Sequence, residues 1–450
     1  MGLKSSEHGV KAILTSRYHD AFRRTESIGD LRKAVGVDRE ATVIVADGNV
    51  MLAQIPQSVG TFADYVGIVT AMIRTMMGSA AIVAVVFDEP QHLTAAKREE
   101  QNKRDMQRGK RQVESSADLR TVPLDDDYLT AHVRGLADCH DLVSCRASRQ
   151  RFFDGVCAEV LARLQPTIDT WQKQGHRACV IWDGLDPRGA DRPIGTPREA
   201  IVYGTDAATT AMFQRVGCAP IGEGDLKLAW WEQRVRDLAR GEDESLSTQL
   251  FIQSTIDTDS FALTLNDVAS RAVQHAEGEG DVQGCLVMRE RANKRGPGGS
   301  DARATYLCCD YVHLHDLIQR DMWRVIPAPS QQLLAMRFLT TSWALCGSDF
   351  VEVKGMRADH VMLNIRPLID ECPHLLLPFA NVTDDDEDAV KSVVPSLRRM
   401  VLACAGEVTR KNTAENMRST PRELLLRGSW VSAYWAKNEQ LDTQSFGFSF

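Results

Sequence analysis

The chain has 450 residues, with 53 Lys and Arg against 61 Asp and Glu and a formal net charge of −8. That length allows a large core and two or three domains, and the net acidity argues against non-specific coating of nucleic acid while leaving room for a local basic groove. No apolar run of about 18 residues is present to span a bilayer, and no signal peptide opens the chain. The expected location is therefore intracellular, in nucleus or cytoplasm. The 11 cysteines are odd in number and form no CxxC pair, which points to reduced thiols. Cys139, His140 and Cys145 lack the second ligand pair of a structural zinc site.

Taken in chain order, residues 1–40 read as helical and charged. Residues 41–47 read as a strand closing on Asp47. Residues 61–77 carry apolar side chains at helical spacing, and residues 80–87 form a second strand before Asp88. Strand, helix, strand in that order calls for a parallel sheet with a right-handed crossover. Residues 95–112 turn strongly basic with high helix propensity. By themselves they are a solvated face; placed after the Asp88 strand they become a candidate contact to a phosphate backbone. Ser115 to Asp127 reads as a loop, 150–174 as a helix, and 177–183 as a further strand closing on Asp183, which competes with Asp88 for the same role. A helix over 205–216 leads to Glu223 and Asp225. Residues 276–282 and 291–303 read as loops, flanking two paired strands at 283–288 and 305–313. A helix over 330–345 leads to Asp349. The acidic run at 383–388 reads as a solvated loop, followed by helices over 389–405 and 421–437.

Seven acids stand beside or between short apolar runs: Asp47, Asp88, Glu223, Asp225, Asp257, Asp259 and Asp349. A β-branched run that stops at an acid suits a buried parallel strand delivering a carboxylate to the sheet's C-terminal edge. Converging carboxylates repel one another unless a divalent cation sits between them. Such a cage suits Mg²⁺-dependent phosphodiester cleavage.

In order and context these motifs resemble the flap endonuclease/XPG family of structure-specific 5′ nucleases. The correspondence runs through Met1-Gly2, Asp47-Gly-Asn, Phe87-Asp-Glu-Pro with Ala96-Lys-Arg, Glu223-Gly-Asp225, Asp257-Thr-Asp259 and Cys346-Gly-Ser-Asp-Phe. It covers roughly residues 1–370. Four departures stand out. Asp225 replaces the usual Glu. The hairpin glycine pair is reduced to Gly355-Met-Arg. The gateway region is longer, and residues 376–450 have no counterpart. The style of the fourth motif is also similar to the herpesvirus host-shutoff ribonucleases.

The resemblance implies an α/β, PIN-like fold: a mostly parallel sheet flanked by helices, with a helical arch and a C-terminal helical extension. Its core would cover 1–375, with a long insertion at about 113–200 and a helix–hairpin–helix-like segment at about 345–370; the extension would cover 376–450. It implies two Mg²⁺ ions, with Mn²⁺ able to substitute. Asp47, Asp88, Glu223 and Asp225 would hold one, and Asp257, Asp259 and Asp349 the other. Lys97 and Arg98 would stabilise charge on the scissile phosphate. Gly2, Lys97, Arg98, Lys103, Arg104 and Gly355 would contact nucleic acid. The implied activity is cleavage of branched or nicked DNA, with two alternatives left open: an RNA endonuclease on the same scaffold, and a catalytically inactive structural or binding member. No membrane partner is expected. The tail from Gln440 lacks the aliphatic and paired aromatics of a sliding-clamp peptide, whereas its alternating Phe446, Phe448 and Phe450 suit a strand packed on the core or docked on a protein partner.

Overall fold

Three runs of Val, Ile and Ala form the centre of the sheet. They are β2 (Thr42–Asp47), β3 (Ile82–Val86) and β4 (Cys179–Asp183), and every residue of each is buried. A strand buried on both faces needs helices on both faces, which is the condition for parallel pairing. The registers bear this out: β2 pairs parallel with β3, β3 pairs parallel with β4, and β2 pairs parallel on its other side with β6 (Leu250–Thr255). β5 (Ile201–Gly204) adds to β4 antiparallel. With β1 (Phe22–Thr25), β7 (Gln283–Glu290) and β8 (Thr305–Asp310), these strands make one mostly parallel eight-stranded sheet in the order β1-β8-β7-β6-β2-β3-β4-β5.

The computed structural model describes residues 9–55, 59, 62–88, 146–184, 200–205, 207–216, 224–241, 249–274, 283–290, 305–348, 351–382 and 386–436. Glu223, Asp349, Gly2, Lys97, Arg98, Lys103 and Arg104 lie outside them, as do the Cys139–Cys145 cluster and the tail from Gln440. Among the described residues, no helix is long and apolar enough to cross a membrane.

The chain divides into two compact units. The first, residues 25–255 with 289–306, holds β2 to β6 and, among the described residues, six helices. These are α2 (Ile28–Val35), α3 (Gly48–Ala53), α4 (Phe62–Met77), α5 (Arg146–Lys173), α6 (Ala207–Val216) and α7 (Gly224–Gly241). The sixteen-residue α4 packs against β3 and α5, while α7 packs against β2 and β3.

The second unit comprises residues 1–24, 256–288 and 307–450. It is mostly helical: α1 (Val10–Arg17), α8 (Asp259–Gln274), α9 (Tyr311–Met322), α10 (Pro329–Leu345), α11 (Ala358–Glu371), α12 (Glu387–Ser392), α13 (Val394–Gly406), α14 (Lys411–Arg418) and α15 (Arg422–Ala436). Its centre is α8 packed on α10, with an Asn266–Thr340 hydrogen bond of 3.1 Å crossing between them. Arg17 and Tyr18 both donate to the Asp321 carboxylate, each at 2.7 Å, tying α1 to the end of α9.

The structure corrects four expectations. Residues 1–40 are not helical throughout, because β1 separates α1 from α2. The strand expected to run to His313 stops at Asp310, whose side chain accepts from His313 N–H and starts α9. The acidic run at 383–388 is not all loop: Asp386 caps α12 by accepting from Asp388 and Ala389 N–H. The helix expected over 389–405 is two helices, since Val393 ends α12 and Pro395 opens α13, where a missing N–H costs nothing.

Gly355 also acquires a packing reason. Its φ is +93°, and a Cβ there would stand 2.2 Å from Thr413 Cγ2 on α14. Gly355→Ala should therefore lose about 1–3 kcal/mol, from overpacking and backbone strain. Urea denaturation measures this; an unchanged midpoint would mean that the Thr413 side chain gives way without cost.

Candidate metal centre

The C-terminal edge of the sheet is organised in rows. Asp47 pairs with Val86, and Val86 pairs with Asp183, so the ends of β2, β3 and β4 are level. Beyond this row Phe87 donates its N–H to Asp183 O at 2.8 Å and stacks on Trp182, with ring centroids 5.2 Å apart. The Phe87 ring fills the space beside Gly48, where a Cβ would lie 2.3 Å from it. Gly184 has φ +102° and would place a Cβ 2.5 Å from Phe87 O. A side chain at either glycine would push Phe87, and Asp88 with it, out of place.

Helix α7 brings the fourth element. Its first residue, Gly224, donates its N–H to Asp88 Oδ1 at 2.7 Å. A Cβ on Gly224 would lie 3.3 Å from that oxygen, so the glycine permits the close approach. Asp225 follows in the first turn. The partial positive charge of a helix N-terminus favours carboxylates at this position. Deeper along α7, Lys227 Nζ donates to Asp183 Oδ1 at 2.7 Å and Trp231 Nε1 to Asp183 Oδ2 at 2.6 Å, all fully buried. On the side toward β6, Glu232 accepts from Gln253 Nε2 at 2.7 Å and from Arg236 at 2.7 and 3.0 Å. The Arg236 guanidinium lies over the Phe251 ring, 4.1 Å from its centroid.

Among the described residues, three of the seven acids converge. Ligand oxygens of Asp47, Asp225 and Asp257 lie within 4.8 Å of one another. Asp47 is buried; Asp225 and Asp257 are half-buried. They come from the end of β2, the first turn of α7 and the stretch just after β6. Asp47 also caps α3, accepting from Val50 N–H at 3.1 Å. A set of carboxylate oxygens with no nitrogen or sulfur ligand suits a hard divalent cation such as Mg²⁺ or Mn²⁺.

The remaining expectations divide. Asp257 stands with Asp47 and Asp225 rather than in a separate second set. Asp88 does not join the triad but holds the start of α7. Asp259, 1% exposed, does not join it either; it is the first residue of α8. Asp183 is not part of the triad and pairs instead with Lys227 and Trp231. Sequence reading missed Lys227, Trp231, Glu232 and Gln253 as positioning residues. The one signal for the three on α7 is a pair of charges, Lys227 and Glu232, on a helix that also carries Leu226, Leu228, Ala229 and Trp230; Gln253 lies on β6.

No family model and no curated protein matches the sequence. The fold and site define the chain at a coarser level: an α/β protein with a mostly parallel sheet and a carboxylate triad beside the end of β2.

Removing one charge from the triad while keeping the cap separates the two roles of Asp47. Asp47→Asn retains a good N-cap, so metal-free stability should stay level or rise as repulsion falls. Asp47→Ala should lose about 1 kcal/mol for the cap. Excess Mn²⁺ should raise the Tm of the wild type and leave that of both variants unchanged. A Tm rise that survives in both variants would place the cation elsewhere.

Proposed function

We propose that this chain is a divalent-metal-dependent nuclease that hydrolyses phosphodiester bonds in branched or nicked DNA. One observation carries the reading: carboxylates from three segments far apart in sequence, Asp47, Asp225 and Asp257, meet within 4.8 Å. Two further features support it. The chain presents its strand-end acids in the order that the flap endonuclease/XPG family does, and its α/β sheet is mostly parallel. Asp47, Asp225 and Asp257 would hold Mg²⁺ or Mn²⁺, leaving other positions of the ion for water and phosphate oxygens. A divalent ion so held supplies Lewis-acid polarisation of the phosphoryl oxygen and activation of water at neutral pH.

The protein's own share is positional. Asp88 fixes the first residue of α7 and thereby Asp225. Asp183, Lys227 and Trp231 fix the helix over β4. The family resemblance assigns Lys97 and Arg98 to the scissile phosphate, where a cation stabilises the charge that develops in the transition state.

The test is cleavage of 5′-flap DNA, duplex DNA and single-stranded RNA, each with Mg²⁺ or EDTA. Flap DNA should be cut with Mg²⁺ and left intact with EDTA. Asp225→Asn should slow that cut by about a hundredfold or more, the size expected when metal-derived charge stabilisation is lost. Cleavage of RNA alone would move the substrate to the ribonuclease alternative. Failure to cut any substrate with Mg²⁺ would overturn the reading.

A further inference from the structure

Beside Asp47, within the first unit, lies a cavity of about 310 Å³. It is bounded by the ends of β2 and β6, the start of α2, α3 and one side of α4. Its size is at the lower end for small-molecule sites, which are typically apolar with a few placed polar groups.

The lining has two characters. Met51, Met72, Met76 and Tyr306 supply sulfur-rich and aromatic surface. Thioethers are polarisable and make favourable contacts with aromatic rings. Thr75, Ser79 and Thr255 supply hydroxyls. The Thr75 hydroxyl donates to Ala71 O at 2.8 Å and the Ser79 hydroxyl to Thr75 O at 3.4 Å. A hydroxyl whose hydrogen is used in this way keeps lone pairs for an incoming N–H. At one end stands Asp47, a member of the acidic triad. A flat, polarisable group with N–H donors on its edge fits this lining, and a bare anion does not. A phosphate attached to that group would need a cation at Asp47.

We propose that this cavity binds the nucleoside part of a nucleotide whose phosphate is held through a divalent cation at Asp47 and its partner carboxylates. The proposal rests on the metal-dependent reading of the triad and deepens it by naming what lies beside the phosphate. The base packs on the methionines and Tyr306, and its amino edge donates to the Thr75 and Ser79 hydroxyls. The shared chemistry is a nucleoside 5′-monophosphate unit, from DNA or from RNA.

The experiment uses the full chain and calorimetric titration. Mn²⁺ is titrated first; AMP, dAMP and ribose 5-phosphate are then titrated into the Mn²⁺-loaded protein. Base stacking of the usual strength makes AMP or dAMP bind at least about tenfold tighter than ribose 5-phosphate. The tighter of the two nucleotides identifies the nucleic acid that supplies the unit. Thr75→Trp, at an exposed position on the rim of the cavity, and Met76→Ala should each bring the nucleotides down to the level of ribose 5-phosphate. Mn²⁺ affinity should be unchanged in both, which also shows that they fold. Mn²⁺ binding with no base preference in the wild type overturns the cavity proposal and leaves the metal reading standing. A base preference that survives in both variants overturns it too. No Mn²⁺ binding overturns both readings.

Discussion

Helix α7 can sit on the sheet in one position, and the candidate metal centre depends on that. Lys227 and Glu232 are fully buried, and Arg236 is nearly so. A buried charge without a partner costs several kcal/mol. The partners here are spread over different strands: Asp183 at the end of β4 for Lys227, and Gln253 on β6 for Glu232. A slip of one helical turn, about 5.4 Å, would strand all of these groups. Apolar packing alone would tolerate such a slip far better, because it is non-directional. At its N-terminus the helix is held once more, by Asp88 on the Gly224 N–H. Asp225 is thus carried to Asp47 by polar pairs that lie outside the triad itself.

The strand-end acids show how much of this the sequence discloses. Asp47 and Asp183 close strands and look alike as text, and Asp310 ends β8 in the structure. In the structure their surroundings diverge. Asp47 caps α3 and joins the triad. Asp183 is neutralised by a lysine 44 residues further on. Asp310 caps α9. A carboxylate at the end of a strand satisfies the N–H groups of a following helix as readily as it binds a metal, so the motif marks a position and not a role. The capping roles of Asp47 and Asp310 are local, but the triad at Asp47 and the ion pair at Asp183 are set by residues remote in sequence, which no local pattern contains.

Other parts were legible for plain reasons. The central strands and α4 follow from continuous apolar runs and from helical spacing, and their ends fall close to the expected boundaries. Helix α7 was not read because its charged residues look solvated while three of them are buried. Strand β1, Phe22–Thr25, is short and carries two exposed arginines, so its apolar signal is one residue wide. The Asp257-Thr-Asp259 pair was expected to follow a strand and to supply two ligands to one ion. β6 ends at Thr255 and α8 begins at Asp259, so the two acids belong to different local structures and only Asp257 reaches the triad.

The central claim is that Asp47, Asp225 and Asp257 together hold a divalent cation. The most direct measurement is the anomalous difference map of a crystal soaked in Mn²⁺. The account predicts a peak about 2.0–2.4 Å from a carboxylate oxygen of at least two of the three, with the third bound directly or through water. Strong Mn²⁺ density at other sites, with none between these three carboxylates, would contradict it.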